Sequence, residues 1–336
     1  MKIRKTALLC AAIALTALLP AAPVSAEPRA LPSIPGTVGT GPAQQGFWAG
    51  YAYAQLHPDQ APPGADDFGC RPKPGQNPVV LVHGTYENGY DNWAGLSPVL
   101  AKAGYCVFAP SYGRTDVFDQ GGVATLLPAA NGVAGIARSA AQLGHYIDRV
   151  RTATGAAKVD VVAHSQGGLV VRQWMKHDGG ADAADPAKTK IGRFVMLATP
   201  NHGTTLDGMA WIGRQISDAG LDVMGFYAWL TGTGAIEQSV GSSFIEKLNA
   251  GRTTFPGVDY TIVASRYDEV VTPYDSAFLR APGVRNVTLQ NGCEQDTSDH
   301  LSMVYSPRAM SIVLNALRGD RTSRAACAAN PWLFSF

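Results

Sequence analysis

The stretch Val159-Asp160-Val161-Val162-Ala163-His164-Ser165-Gln166-Gly167-Gly168-Leu169-Val170 constrains the fold more than any other part of the chain. It reads as a short apolar strand, a serine among small residues, and the start of a helix. A serine in an ordinary loop needs neither Ala163 two residues before it nor Gly167 two after it. A sharp strand-to-helix turn needs both, because the two backbones pass close together there and larger side chains collide. Such a turn presents the Ser165 hydroxyl at the carboxyl end of a sheet, with the Gln166 amide beside it.

The rest of the chain supplies that sheet. Pro78 to Thr85 begins with a continuous apolar run, the pattern of a strand covered on both faces. A helix over Asn92 to Ala103 follows, then a strand over Tyr105 to Ala109, and then a polar connection from Ser111 to Ala130 that is able to line a site. From Asn131, which can serve as an N-cap, the apolar positions Val133, Ile136, Ala140, Leu143, Ile147 and Val150 step by three and four, as in a helix with one buried face. After the Ser165 strand and a helix running to about His177 come strands at Ile191 to Ala198, Tyr260 to Ala264 and Val284 to Leu289. A last helix covers roughly Pro307 to Leu317. Strands alternating with helices imply a mostly parallel central sheet with helices on both faces, the α/β class. In such sheets the reactive groups lie in loops at the carboxyl ends of the strands.

That rule selects partners for Ser165. A serine hydroxyl needs an imidazole within hydrogen-bond reach and a carboxylate to hold the imidazole in the right tautomer. On this fold type the chain order is serine, acid, histidine. Of the seven histidines, only His202 and His300 lie well beyond the serine, and His202 precedes the last two strands, which leaves His300. Asp268 follows the Tyr260–Ala264 strand by a short loop, at its carboxyl end. Asp259 is at the wrong end, while Glu269, Asp275, Asp296 and Asp299 remain competitors, with Asp299 also able to hold the His300 loop. The oxyanion of an acyl-transfer reaction needs two donors. The Gln166 amide is one, and the loop His83-Gly84-Thr85 after the first strand offers Thr85 as the other, with His83 as structural support.

At 336 residues and 46% hydrophobic content the chain can bury a large core, and α/β folds of this length often form one domain. Residues 1–26 have a basic start, an apolar run too short to span a bilayer, and a small-residue end at Val24-Ser25-Ala26, the pattern of a signal peptide cleaved after Ala26. A secreted, extracellular protein without a permanent membrane anchor is expected. Residues 27–46, rich in Pro and Gly, read as a flexible leader, and 47–336 as the single domain. Losing Lys2, Arg4 and Lys5 takes the formal charge from +1 to −2, and no block of like charge appears, so nothing points to nucleic acid as a partner.

Cys70, Cys106, Cys293 and Cys327 would remain, an even number for an oxidising compartment, with three possible pairings. Cys70–Cys106 and Cys293–Cys327 are favoured because each pair brackets one block of adjacent predicted elements. Each would close a loop of roughly 35 residues, contributing on the order of 3–4 kcal/mol in the chain-entropy model. None of the four has a Cys or His at ligand spacing, so no metal site is expected.

With these residues assembled, the chain resembles the α/β-hydrolases. More narrowly it resembles secreted bacterial triacylglycerol lipases with an Ala-x-Ser-x-Gly elbow, and more distantly it is similar to lipase B of Candida antarctica. The resemblance rests on Val82-His83-Gly84-Thr85, on Ala163 to Gly168, on Thr199-Pro200-Asn201-His202-Gly203-Thr204, on Tyr267-Asp268-Glu269-Val270-Val271 and on Asp299-His300. It implies carboxylic-ester hydrolysis without a cofactor, by a Ser-Asp-His triad, and supports the same disulfide pairing. The substrate expected is a lipid or other ester, met in part at an oil–water interface by a monomer. Short-chain carboxylesterase, hydrolase of polymeric esters such as cutin, and inactive binding module are the rival readings. Val270, Val271 and Leu301, beside the predicted acid and base, are candidates to contact the acyl chain. Leu206 to Leu230, with Met209, Trp211, Phe226 and Trp229, reads either as a mobile cap within 206–236 or as an ordinary helix layer.

Overall fold

A computed structural model describes residues 29–205 and 223–332. The predicted signal segment and most of the predicted cap region lie outside the described residues. The described elements run α1 (Phe47–Leu56), β1 (Val79–Val82), α2 (Gly89–Trp93), α3 (Leu96–Lys102), β2 (Val107–Phe108), α4 (Ile136–Thr154), β3 (Val159–His164), α5 (Gln166–His177), β4 (Ile191–Leu197), α6 (Val223–Thr231), α7 (Thr233–Glu237), α8 (Ser243–Asn249), β5 (Asp259–Ala264), β6 (Arg285–Thr288) and α9 (Pro307–Leu317), with short 3₁₀ turns between them.

The six strands form one sheet in the order β2-β1-β3-β4-β5-β6, and every pairing is parallel. Successive side chains of a strand point to opposite faces, and each face has its own core. On one side Val80, Val82, Val161, Ala163, Phe194, Met196 and Ile262 meet Ile136, Leu143 and Ile147 of α4, Leu169 and Trp174 of α5, and Ile245 of α8. On the other, Val79, Leu81, Val162, Val195, Leu197 and Val263 meet Trp93, Leu96, Leu100, and Ile312 and Val313 of α9. Both faces being covered explains why the strands read as unbroken apolar runs instead of alternating ones.

The strand order reverses between β1 and β3. The chain steps outward from β1 to β2 and then returns to the other side of β1. Loops leaving β1 and β3 therefore diverge and open a crevice at their carboxyl ends, the usual place for a ligand in an open parallel sheet.

Two local expectations are corrected. The single helix over Asn92 to Ala103 is two helices, α2 and α3. Asn88 caps α2 by accepting from the Tyr90 and Asp91 amides, while Asp91 returns a bond to the Asn88 amide. Asn131 does not cap α4. Its side chain bonds the Ala129 carbonyl, the helix starts at Ile136, and the Ile136 amide donates to Glu237 from α7 at 2.6 Å. A long-range partner has replaced the local cap. Residues 29 to 46 also make contacts with the domain. Ile34 is buried in the first core, the Pro32 carbonyl accepts from Gln142, and the Val38 and Gly41 amides donate to Asp59 and Ala61.

Cys70 is bonded to Cys106, and Cys293 to Cys327. The second bridge ties the C-terminal tail beside the loop that follows β6. There Asn330 donates to the Ser298 hydroxyl and the Ser302 carbonyl, and its own carbonyl accepts from the Thr297 amide.

Candidate active site

Ser165 caps α5 directly after β3 with φ 51° and ψ −128°. A non-glycine residue pays for positive φ, and such strain persists only where the surroundings over-determine it. Here the Ser165 amide donates to the Leu197 carbonyl of the neighbouring strand. Gly167 is obligatory, because a β-carbon there would lie 2.5 Å from the Val82 carbonyl oxygen and 2.6 Å from that of His83. Ala163 is buried within β3, where its methyl group fits the first core.

The loop after β6 brings His300 against this serine. Its Nε2 lies 3.0 Å from Ser165 Oγ, and its Nδ1 lies 3.0 Å from both carboxylate oxygens of Asp268. Asp268 is itself oriented by the turn after β5, since its Oδ1 accepts from the amides of Val270 and Val271. Burial by itself would lower the basicity of His300. Asp268 outweighs that, with smaller contributions from Glu87 and Glu269, and the imidazole is raised above its usual value.

The competing acids have other partners. Asp299 and Ser302 bond each other's amides reciprocally through their side chains, Asp296 accepts from the hydroxyls of Ser298 and Ser306, and Asp275 is paired with Arg280. Glu269 reaches the His300 amide at 3.5 Å. Asp299 therefore holds the loop, as one of its two sequence readings had it.

After β1 comes the loop carrying Thr85. His83 Nε2 accepts from the Tyr112 amide, so its Nδ1 carries the proton and donates to the Gly84 carbonyl at 2.7 Å. This needs a neutral ring, and burial depresses His83 to about 4. The ring also stacks on Tyr112 at 4.2 Å. Gly84 passes so near the serine that a β-carbon on it would lie 3.1 Å from Ser165 Cβ and collide with Glu87. Thr85 Oγ1 accepts from Gln238 Nε2, which leaves the hydroxyl proton free to point elsewhere. Both Thr85 and the Gln166 side chain border Gly132, where a β-carbon would lie 3.4 Å from Thr85 Cα and 3.1 Å from Gln166 Oε1.

Among the predicted acyl contacts, Val271 is 1% exposed and belongs to the first core, whereas Val270 and Leu301 are half-buried. The backbone role of Val270 and Val271 escaped the sequence, as did the contributions of Glu87 and Gln238. An Asp followed two and three residues later by free amides is a recognisable turn pattern. Gln238, 153 residues from Thr85, left no local signal.

An apolar rim borders the Thr85 loop. The Tyr86 hydroxyl donates to the Thr231 carbonyl at the end of α6, and the Thr233 amide donates to the Gln120 carbonyl. These bonds join α6 to Tyr86 and α7 to the 117–126 segment, where Phe118 is 99% and Leu126 77% exposed, while Trp229 on α6 is 55% exposed. A cavity of about 450 Å³ lies elsewhere, between residues 32–37 and Tyr146, Arg149 and Arg114, and includes none of Ser165, Asp268 and His300.

Comparison with known proteins gives the family and the fold. A family model described as Lipase (class 2) matches residues 76–306. Triacylglycerol lipases of Pseudarthrobacter phenanthrenivorans and Burkholderia plantarii are each 26% identical over 257 residues, 73% of this chain, which spans 69% and 62% of their respective lengths. Among solved structures, lipase B of Aspergillus fumigatus matches with TM-score 0.55 at 21% identity, over 77% of this chain and 56% of its own. A mature lipase of Bacillus licheniformis matches with TM-score 0.51 at 17% identity, over 74% of this chain and 94% of its own. At these identities the structural likeness speaks for the fold, which is that of the α/β-hydrolases.

Proposed function

The chain belongs to the class 2 lipase family, and from that premise we propose that it is an exported triacylglycerol lipase acting through an acyl-enzyme. The observation that carries this reading is the pair of contacts made by His300, Nε2 to Ser165 Oγ and Nδ1 to Asp268.

In this mechanism Ser165 Oγ attacks the ester carbonyl while His300 Nε2 takes its proton, and Asp268 stabilises the imidazolium that results. The amides of Thr85 and Gln166 hold the oxyanion, Gln166 at the N-terminus of α5 where the helix dipole favours negative charge. The hydroxyl of Thr85, with its oxygen already accepting from Gln238, supplies a third donor. His300 next protonates the leaving alcohol. Water, activated in turn by His300, then releases the fatty acid.

Two further features fit this reading. The exposed Phe118, Leu126 and Trp229 beside the Thr85 loop suit contact with a lipid surface. Two disulfides suit a protein that works as a monomer outside the cell after residues 1–26 are removed.

The test is hydrolysis of p-nitrophenyl esters from acetyl to palmitoyl by the mature protein, with Ser165→Ala as the blank. Rates peaking at medium or long chains, and lost in the variant, support the lipase. A peak at acetyl or butyryl moves the assignment to a carboxylesterase or polyester hydrolase. Activity that survives the substitution removes Ser165 from the mechanism.

A further inference from the structure

Behind His300 lies a second set of buried ionisable groups that the acyl-enzyme chemistry does not use. Glu87 is 3% exposed and His164 fully buried. Glu87 Oε2 accepts from the Gly84 amide at 2.8 Å and lies 3.1 Å from His164 Nδ1. His164 Nε2 lies 3.0 Å from the His300 carbonyl oxygen, and a carbonyl only accepts, so Nε2 carries a proton and donates it. The two imidazole rings are 4.9 Å apart.

One carboxylate and one imidazole therefore touch three parts of the site. The oxyanion loop is held through Gly84, the elbow through the peptide bond from His164 to Ser165, and the base through its carbonyl. We propose that Glu87 and His164 are positioning residues, a hydrogen-bonded pair that keeps His300 and the Gly84-Thr85 loop in register with Ser165. In addition, the Glu87 charge joins Asp268 in stabilising the His300 imidazolium. This rests on the reading of Ser165 and His300 as nucleophile and base.

The charge belongs to Glu87 for a physical reason. An ionised carboxylate facing the bare lone pair of an imidazole nitrogen is unfavourable, so one proton lies between Glu87 Oε2 and His164 Nδ1. Asn92 Nδ2 is also 3.1 Å from Nδ1, and the amide oxygen of Asn92 has no partner. Turning that amide over lets the oxygen accept from a protonated Nδ1. Burial alone would raise Glu87, yet the nearby imidazoles of His164, His300 and His83 outweigh it and hold the carboxyl below its usual range. Asp91, fully buried beside it, is pushed up by burial and by Glu87. The Tyr112 phenol is likewise raised, by burial first and by Glu87 after it, and Tyr51 and Tyr305 are raised by burial, then by Asp91 and then by Glu87. Glu87 is thus held toward its charged form while Asp91 is held toward its neutral form.

The experiment compares wild type, Glu87→Gln and Glu87→Asp on p-nitrophenyl butyrate across pH, with folding checked by circular dichroism. Since sub-ångström misplacement of reacting groups is expensive, Glu87→Gln should lower kcat about 10- to 100-fold with KM unchanged. The acid limb of kcat/KM should move to lower pH, and Glu87→Asp should restore part of both. A folded Glu87→Gln with wild-type kcat and an unmoved limb overturns the proposal. Should that variant fail to fold, ¹⁵N-histidine NMR of the wild type decides instead. His164 should show a proton on Nε2 bonded to the His300 carbonyl and another shared between Nδ1 and Glu87, and a bare Nδ1 overturns the pairing. If Ser165→Ala leaves hydrolysis intact, the ester-hydrolase reading fails on its own, and the NMR titration of His300 still reports whether Glu87 acts on it.

Discussion

His300 Nε2 lies 3.0 Å from Ser165 Oγ, across 135 residues of chain. Two different loops hold the pair, one strained at the serine and one stapled at the histidine, and each makes its own prediction.

The serine receives no proton-accepting help until His300 is neutral. Because Asp268 and its neighbours overcome the effect of burial and raise His300, the acid limb of kcat/KM should lie above about pH 6.5, where an unperturbed imidazole titrates. The same shift carries a stability term of opposite slope. A raised histidine stabilises the fold fully below its unfolded-state value, and that contribution is lost as pH rises through the folded value. Activity and this part of stability should therefore move in opposite directions over one pH window. Parallel pH series of initial rate and of urea midpoint, with His300→Gln to isolate the term, check the sign.

Asp268→Asn should be folded and nearly inactive. Its remaining carbonyl oxygen can accept from Val270 and Val271 or face His300, whereas its new N–H₂ group favours the tautomer with the proton on Nε2. That tautomer cannot take the serine proton, and a loss in kcat on the order of 10³–10⁴ follows. Rate measurement under substrate saturation decides it, since a change confined to KM would contradict the role.

Gly167→Ala should destabilise the elbow without touching any ionisable group. The added methyl meets two backbone carbonyls of the neighbouring loop, at 2.5 and 2.6 Å, and backbone cannot rotate out of the way. Overpacking of this kind costs about 1–3 kcal/mol. Chemical denaturation should show the lowered midpoint, with kcat reduced alongside it.

The tail bridge should act on the histidine. Breaking Cys293–Cys327 by a double Cys→Ser change frees the tail whose Asn330 holds Ser298 and Ser302 on either side of His300. A cost of about 2–5 kcal/mol is expected. Asn330→Ala, which leaves the bridge intact, should lower kcat with a smaller effect on stability, and comparing the two separates loop placement from chain constraint.

A charge on the rim should separate surface binding from chemistry. Phe118→Asp, at a position 99% exposed, should leave turnover of a soluble short-chain ester unchanged and reduce the rate on an emulsified triacylglycerol severalfold. Equal rates on both substrates would remove this rim from any lipid contact.

Much of this site was readable in one dimension because its requirements are local. Ser165 sits in a turn that only small neighbours permit, and the apolar runs of β1, β3, β4 and β5 mark strands buried on both faces. Chain order together with the carboxyl-end rule then pointed to Asp268 and His300. The sequence favoured Asp268 but left Glu269, Asp275, Asp296 and Asp299 as competitors, since each lies in a loop after one of the last strands. Tertiary structure decided by distance, giving Asp268 the imidazole and assigning Asp296 and Asp299 to the loop's own hydrogen bonds. The same holds for the cap of α4, where Asn131 looked sufficient and Glu237, 101 residues away, took the Ile136 amide. It holds most of all for Glu87, His164 and Gln238, which have no mutual spacing to betray them. A hydrogen bond depends on where two atoms end up, and for residues brought together by a sheet order that reverses between β1 and β3, only the folded chain specifies that.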